Sequence, residues 1–589
     1  FSSWKADVID KHFEWMQQYG IDGIALQRFI GETFDGVFKL NRDSITERIK
    51  RSAEAHQRIF YLMYDISGLD ATKFDSIKSD WQNNMIAKLK VTESPYYVYQ
   101  NNKPVVCIWG FGFTDRSGTA IQCLDVVNWF KNNGCYVIGG VPTNWRTGTG
   151  DSKAGFSGVY NAFDMISPWS VGRFSTLSGA DDFKNNYLTP DLTYCNNNNI
   201  AYQPVIFPGF AWSNWNGGAA NAIPRNKGEF MWRQVYNIRQ NNIGNAYIAM
   251  FDEYDEGTAI TKCADSYFAV PNNQYFLTSS ADGTYLSEDF YLRLAGKTTS
   301  VLRNNESITN VVPIPFAAGP IWFRTSVEQG YDAMPTWTDG VEPTLPAVNI
   351  GGYSGTGSPE CGVVSETNAT GTHSIRYSGK DNATDTSSIY FRVFSVDVPV
   401  NLYTKLSFKH YPQSNLARYV AVDLIFSDGS RLSTSAALDT LGNSMHPAVG
   451  KGTINTWNKI VSNIGLWHNG KTIKTICITY DHNAETGTFR GYVDDIAIYE
   501  GRNNVYQFIG NGNWNVASNW LNNAMPPTYL TNGYIVIDPI NNGECILNVE
   551  QHISGKNALI INTNKKFIVN SFLDGTTGFI KVQAIIELQ

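Results

Sequence analysis

AYIAMFDEYDEG, residues 246–257, is the stretch on which the reading of this chain turns. It opens as a short apolar run and ends in four carboxylates, Asp252, Glu253, Asp255 and Glu256. Six earlier runs have the same form: IDGIALQRF (21–29), RIFYLMYDISG (58–68), KPVVCIWGFGF (103–113), CYVIGGVPTNW (135–145), FDMISPWSVGR (163–173) and AYQPVIFPGFAW (201–212). Between them lie amphipathic stretches with helical spacing, over 4–19, 44–57, 124–132 and 229–240. Strand alternating with helix at this spacing predicts βα units and a parallel sheet.

Seven strands are one short of an eight-stranded (β/α)8 barrel, and the first strand is expected to lie upstream of residue 1 or outside this sequence. A doubly wound open sheet is the alternative. It fits less well, because no Gly-rich phosphate loop follows any of the runs. A barrel displays its site at the C-terminal ends of its strands. The runs end there in Gln27 and Arg28, Asp65, Trp109, Asn144 and Trp145, Trp169, Trp212 and the acidic cluster.

The chain of 589 residues predicts about four domains. A formal net charge of −7 and only 17% charged residues exclude a nucleic-acid partner, which needs a basic face. Hydrophobic content of 42% excludes disorder, and no run reaches the length of a membrane span. Aromatics make up 13%, and Asn-rich runs recur. Flat rings and amides are what neutral sugars are recognised by. The eight Cys show no C-x-x-C pair, and Cys107 and Cys135 read as core thiols.

Composition shifts at about 319, where Pro, Gly, Thr and Trp replace helical periodicity. The expected domains are a barrel over 1–318, a β-sandwich of jelly-roll type over 319–502, and a small all-β domain or the start of a β-solenoid over 503–589.

Two carboxyls on one wall are what glycoside hydrolysis needs: one protonates the leaving oxygen, the other activates the attacking group. Glu253 and Glu256 are three apart, so a helical turn after the strand puts both on one side. Mutual repulsion would keep one protonated. The alternative is an acidic loop capping the next helix. Around this pair the strand ends offer substrate-binding candidates. Asp65 and Arg28 read as a hydroxyl binder and a carboxylate orienter, or as a pair with each other. Asp164 and Arg173 flank PWSVG. Trp109, Trp145, Trp169 and Trp212 offer stacking faces, and Asn144, Asn214 and Tyr254 offer hydroxyl partners. No His spacing suits a transition metal, so catalysis is expected to need no cofactor.

The segments HFEWMQQYGIDGIALQRF (12–29), YLMYDISG (61–68), ISPWSVGR (166–173), PVIFPGFAWSNW (204–215) and AMFDEYDEGTAI (249–260) resemble glycoside hydrolase families 71 and 99. The resemblance covers about 1–318. It implies a barrel, an α-linked glycan substrate and, for Glu253 and Glu256, the catalytic roles. Family 99 carries two Glu three apart in a segment of Asn-Glu-Trp-His-Glu-Gly-Thr type. Here Tyr254 and Asp255 stand where that segment has Trp and His. Glu256 is expected to be the acid/base and Glu253 the second carboxylate. By resemblance to jelly-roll carbohydrate-binding modules, Glu328 and Asp495 would share a structural Ca²⁺.

The reading is a secreted or cell-surface glycoside hydrolase. It is expected to be monomeric and endo-acting on α-linked bonds of a polysaccharide or oligosaccharide, with no nucleic-acid partner and no membrane span. Two rivals are a non-catalytic glycan-binding protein on a barrel scaffold, and an endo-hydrolase of a sulfated or deoxy-sugar glycan such as fucan.

Overall fold

All seven apolar runs become extended segments: β1 (Gly23–Phe29), β2 (Ile59–Asp65), β3 (Lys103–Trp109), β4 (Tyr136–Val141), β5 (Met165–Pro168), β6 (Ala201–Tyr202) with β7 (Val205–Ile206), and β8 (Tyr247–Ile248). The computed structural model describes residues 2–271, 275–338, 340–501, 505–530, 533–553, 557–562, 564–574, 579–582 and 585–588. It falls into two compact units, Phe1–Phe316 and Ala317–Gln589.

In the first unit the strands pair in parallel and in sequence order from β1 to β6. β6 and β7 are halves of one extended run. Gln203 N–H donates to Ile166 on one side, and Pro204, which has no N–H, accepts from Tyr247 N–H on the other. β7 then pairs in parallel with β8. Sequential order without reversal is not that of a doubly wound sheet. The ladder is not closed into the expected eight-stranded ring. Among the described residues nothing pairs β8 with β1, and a cavity of about 550 Å³ lies between residues 23–28 and 244–252.

Helices cover this sheet. α1 (Ala6–Tyr19) buries Ile9, His12, Phe13 and Met16, one stripe at 3–4 spacing, and stops at Gly20 in the left-handed region. α2 spans Gly36–His56 and begins eight residues before the helical pattern does. The Asp35 carboxylate caps it by accepting from Val37 N–H and Phe38 N–H. Its first turn is apolar yet exposed (Val37 78%, Leu40 61%), so it carries no periodicity. α3 (Ala120–Asn132) starts in a capping box between Thr119 and Gln122. α4 spans Glu229–Gln240, and α5 spans Phe290–Arg303. β4 is buried along its whole length, as strands covered on both faces are. Its Gly140 makes room for a neighbour: a Cβ there would stand 2.4 Å from Trp109 Cδ1.

The second unit begins with antiparallel pairing. One sheet runs Ile350–Gly351, Ser374–Asp381, Gly487–Glu500, Thr404–Pro412, Asn458–Ser462, with Ile321–Thr325 and Glu360–Val364 pairing at its side. A three-stranded sheet runs Ser387–Pro399, Thr472–His482, Val420–Phe426. From Val505 onward the strands pair in parallel instead, in three ladders in which successive turns of chain stack. Phe508, Ile535, Leu559 and Phe567 fill the coil's interior. The eight Cys are unpaired, and seven of them are buried. Burial raises the Cys123, Cys135 and Cys361 thiols to about 12, so they pack as apolar groups.

Candidate active site

The acidic cluster forms a tight turn beyond β8. Gly257 N–H donates to Tyr254 O, and Thr258 N–H and Ala259 N–H both return to Glu253 O. Gly257 takes φ 62°, a conformation that disfavours a side chain. Ala211 N–H, from the loop after β7, donates to Glu256 O at 2.7 Å. This folding brings both glutamates onto one cavity of about 200 Å³ at the C-terminal strand ends. Asp65, Trp109 and Trp169 line the same cavity.

Burial raises the carboxyl of Glu253 above its ordinary value, and the charge of Glu256 raises it further. Burial and the charge of Asp255 do the same for Glu256. A raised carboxyl holds its proton to higher pH, which is what a general acid needs. Asp65 lies across the cavity and is 2% exposed. It accepts from Gln27 Nε2 and from Ser67 N–H, each at 2.7 Å. Trp109 and Trp169 meet edge to face, with centroids 5.3 Å apart. The Arg116 guanidinium sits 5.4 Å from the Trp109 ring and also lines the cavity.

Other candidates surround the site without lining it. Arg173 donates to Thr143 Oγ1 and to Asp151, and Asn144 donates to Asp151 through N–H and Nδ2. They brace two strand-end loops. Trp212 is 37% exposed and packs against Phe210 and Trp215. Asn214 donates to Tyr275 O, and the Tyr254 hydroxyl to Lys262 O.

Three candidates are corrected. Arg28 does not face the cavity or pair with Asp65. It is buried, donating to Asp43 and Asp80 with Tyr64 and Asn84 completing the network. Alternation along β1 decides this: Gln27 and Phe29 line the cavity, so Arg28 points away. Trp145 is also buried, its indole N–H donating to Asp191 at 2.9 Å. Asp164 precedes β5, at the end of the sheet opposite the site. There it accepts from Val137 N–H and pairs with Lys131.

Among the described residues no group of three His, Cys, Asp or Glu is placed to hold a metal ion. Glu328 accepts from Thr372 and His373, backbone and side chain both. Asp495 Oδ2 pairs with Lys409 and Thr370, while its Oδ1 is buried with no partner. Asp494, unremarked in the sequence, is raised to about 8 by burial and by Asp495. The glutamate end of the expected Ca²⁺ site is thus taken up by protein donors, and both oxygens of Asp494 accept backbone N–H groups, from Ala369 and Thr370 and from Asp495.

Tyr247 and Arg116 line the cavity unforeseen, and so does Gln27, named at the end of its strand but given no role. For Gln27 the signal was present: its position has the same parity along β1 as Phe29, and Asp65 stands at the end of the next strand. Arg116 lies in a loop, where no periodicity marks a side chain.

No family model matches the sequence, and no curated protein does. Among solved structures the chain is similar to glycoside hydrolases and carbohydrate-binding domains. One is the GH99 endo-alpha-mannosidase from Bacteroides thetaiotaomicron, at 14% identity over 52% of this chain and 82% of that one, TM-score 0.41. A second is the glycoside hydrolase domain of Endo-D from Streptococcus pneumoniae R6, at 10% identity over 79% and 69%, TM-score 0.24. A third is a xylan-binding domain from CBM 22, at 12% identity over 29% and 96%, TM-score 0.15.

Proposed function

We propose that this chain is a glycoside hydrolase, cleaving α-linked bonds within a polysaccharide, with Glu253 and Glu256 as its working carboxylates. The observation that carries the reading is their convergence, both with raised carboxyls, on one cavity that also holds Asp65 and two tryptophans. Glu256 gives a proton to the leaving oxygen. Glu253 takes a proton from the hydroxyl or water that attacks the anomeric carbon from the same cavity. Asp65, its second oxygen fixed by Gln27, binds a sugar hydroxyl. Trp109 and Trp169 give apolar walls to the ring.

In this reading the parallel ladder is a (β/α)8 barrel whose eighth place is the cavity between 23–28 and 244–252. The two antiparallel sheets form a carbohydrate-binding sandwich, which raises the local concentration of a glycan that the barrel cleaves. Such an enzyme works outside the cell or at its surface. A structural Ca²⁺ would rest on the unpartnered Oδ1 of Asp495, and is tested by melting in calcium against chelator.

The test is product release from α-mannan, α-1,3-glucan and sulfated fucan, with wild type beside Glu253→Gln and Glu256→Gln. Oligosaccharides from one substrate, lost in both variants, would bear the proposal out. No release from any substrate, with binding kept in both variants, would make the chain a glycan-binding protein instead. Arg116 favours a sulfated substrate as the second reading, because its cation lines the same cavity as the carboxylates.

A further inference from the structure

We infer that Arg225 is the positioning residue of the carboxylate turn, holding from behind the backbone that aims Glu253 and Glu256 into one cavity. The geometry stands by itself; the kinetic consequence rests on the hydrolase reading.

Arg225 lies just ahead of α4 and is 4% exposed. A buried guanidinium is costly unless a carboxylate or several acceptors answer it. Among the described residues no carboxylate lies within ion-pair reach of Arg225. Its Nη2 instead donates to Gly257 O at 2.7 Å and to Ala259 O at 3.0 Å. The guanidinium lies 4.5 Å from the Tyr291 ring centroid, on α5. Nε and Nη1 are buried on the side of Tyr291 and, among the described residues, make no hydrogen bond of good geometry. The chain therefore buries a full positive charge for two carbonyls and a ring face, and both carbonyls belong to the carboxylate turn.

Those carbonyls are well chosen. The amides of Thr258 and Ala259 donate back to Glu253 O, and Ala211 N–H holds Glu256 O. Fixing Gly257 and Ala259 thus fixes the backbone on which both glutamates stand. Room for the arginine is built in as well. A Cβ at Gly209 would come within 2.6 Å of Arg225 Cγ and 2.7 Å of Ile223 O. The loop from Phe207 to Arg225 so grips the turn at three points, through Ala211 and through both bonds of Arg225.

Three variants test this: Arg225→Met, Arg225→Lys and Gly209→Ala, the last crowding the arginine without touching its charge. Backbone hydrogen exchange, read over 250–262 and over the rest of 1–316, needs no substrate. Arg225→Met is expected to speed exchange in 250–262 at least about tenfold and to leave β1–β4 unchanged. With a cleavable glycan, kcat should fall about 100-fold, the loss that a misplacement of about 1 Å brings. KM should stay within about twofold. Lysine keeps the charge and the protons on a shorter side chain, and should recover about tenfold of the lost rate.

Unchanged exchange in 250–262 would overturn the inference, as would loss of protection spread evenly through the unit. So would a fall in kcat with no recovery by lysine. If Arg225→Met does not fold, Arg225→Lys and Gly209→Ala carry the same readings. If wild type cleaves no glycan, the hydrolase reading fails, and exchange over 250–262 still decides the role of Arg225.

Discussion

Gln27 donates through Nε2 to Oδ2 of Asp65 at 2.7 Å, joining the C-terminal ends of β1 and β2 across the floor of the cavity. Oδ1 of Asp65 accepts from Ser67 N–H at 2.7 Å. Both oxygens are thereby aimed, and the carboxylate needs no lysine or arginine to stay in place. Gln27 acts on the substrate only through Asp65. Asp65→Asn should lower kcat/KM by about 10- to 100-fold, since a hydrogen bond to a charged group contributes about 1.5–3 kcal/mol. Gln27→Ala should lower it less than Asp65→Asn does, and mostly through KM. Equal losses in both variants would mean that Gln27 itself meets the glycan.

The glutamate pair predicts a pH-dependent stability that needs no substrate. Both carboxyls are raised in the folded chain. A raised carboxyl favours folding while it is protonated, below its unfolded value. That contribution is lost as pH rises through the folded value. Glutamine imitates the protonated form at every pH. Glu253→Gln and Glu256→Gln should therefore raise Tm at pH 7, on the order of 1 °C for a chain of this size, and should not raise it at pH 4. Scanning calorimetry at the two pH values reads it. A lower Tm at pH 7 in both variants would mean that the carboxylates stabilise the turn rather than strain it.

The sequence showed the strands and the acidic turn because each has a local signature: a short apolar run, and four carboxylates within five residues. It did not show what depends on the third dimension. The start of α2 was hidden because Val37, Phe38 and Leu40 are exposed on a helix, against the usual pattern. Arg28 and Gln27 are neighbours in sequence and opposite in space, and only the side on which β1 meets the cavity decides between them. Asp164 sits two residues before Ile166, close enough to a strand to suggest the site, yet at the strand's wrong end. Arg225 is separated from the turn it holds by about thirty residues and by no pattern at all.

Trp145 gives a prediction that separates packing from binding. Burial raises the Asp191 carboxyl to about 6, against the pull of Arg146 and the Trp145 indole N–H. Trp145→Phe removes that donor and should push the carboxyl higher. Being raised, Asp191 favours folding below its unfolded value and loses that contribution as pH rises through 6. The variant should then cost about 1–3 kcal/mol at pH 7.5, where a buried carboxylate is left short of a donor, and less at pH 5. Urea unfolding at both pH values measures this. Glycan affinity should be unchanged once the protein is folded, whereas Trp169→Ala should weaken it about tenfold or more.

His410 makes the second unit sensitive to acid. Its Nε2 lies 2.7 Å from the Tyr377 hydroxyl, which gives its own proton to Ala417 O. The neutral imidazole therefore carries its proton on Nε2 and donates it to the phenol oxygen. Nδ1 is buried with no partner. Burial, with the Lys451 ammonium next, lowers His410 to about 3. A depressed pKa means stability that is present above the unfolded value, about 6.5, and is lost as pH falls toward 3. Asp494 has the opposite sign, being raised, so the wild-type profile mixes the two. The comparison with His410→Gln isolates the histidine, because glutamine keeps a donor and takes no proton. Protection of Ser374–Asp381 and Thr404–Pro412 in hydrogen exchange should fall steeply in wild type between pH 6 and pH 4. In His410→Gln it should start lower and fall less. Parallel profiles would show that the imidazole stays neutral for reasons other than its burial beside Tyr377.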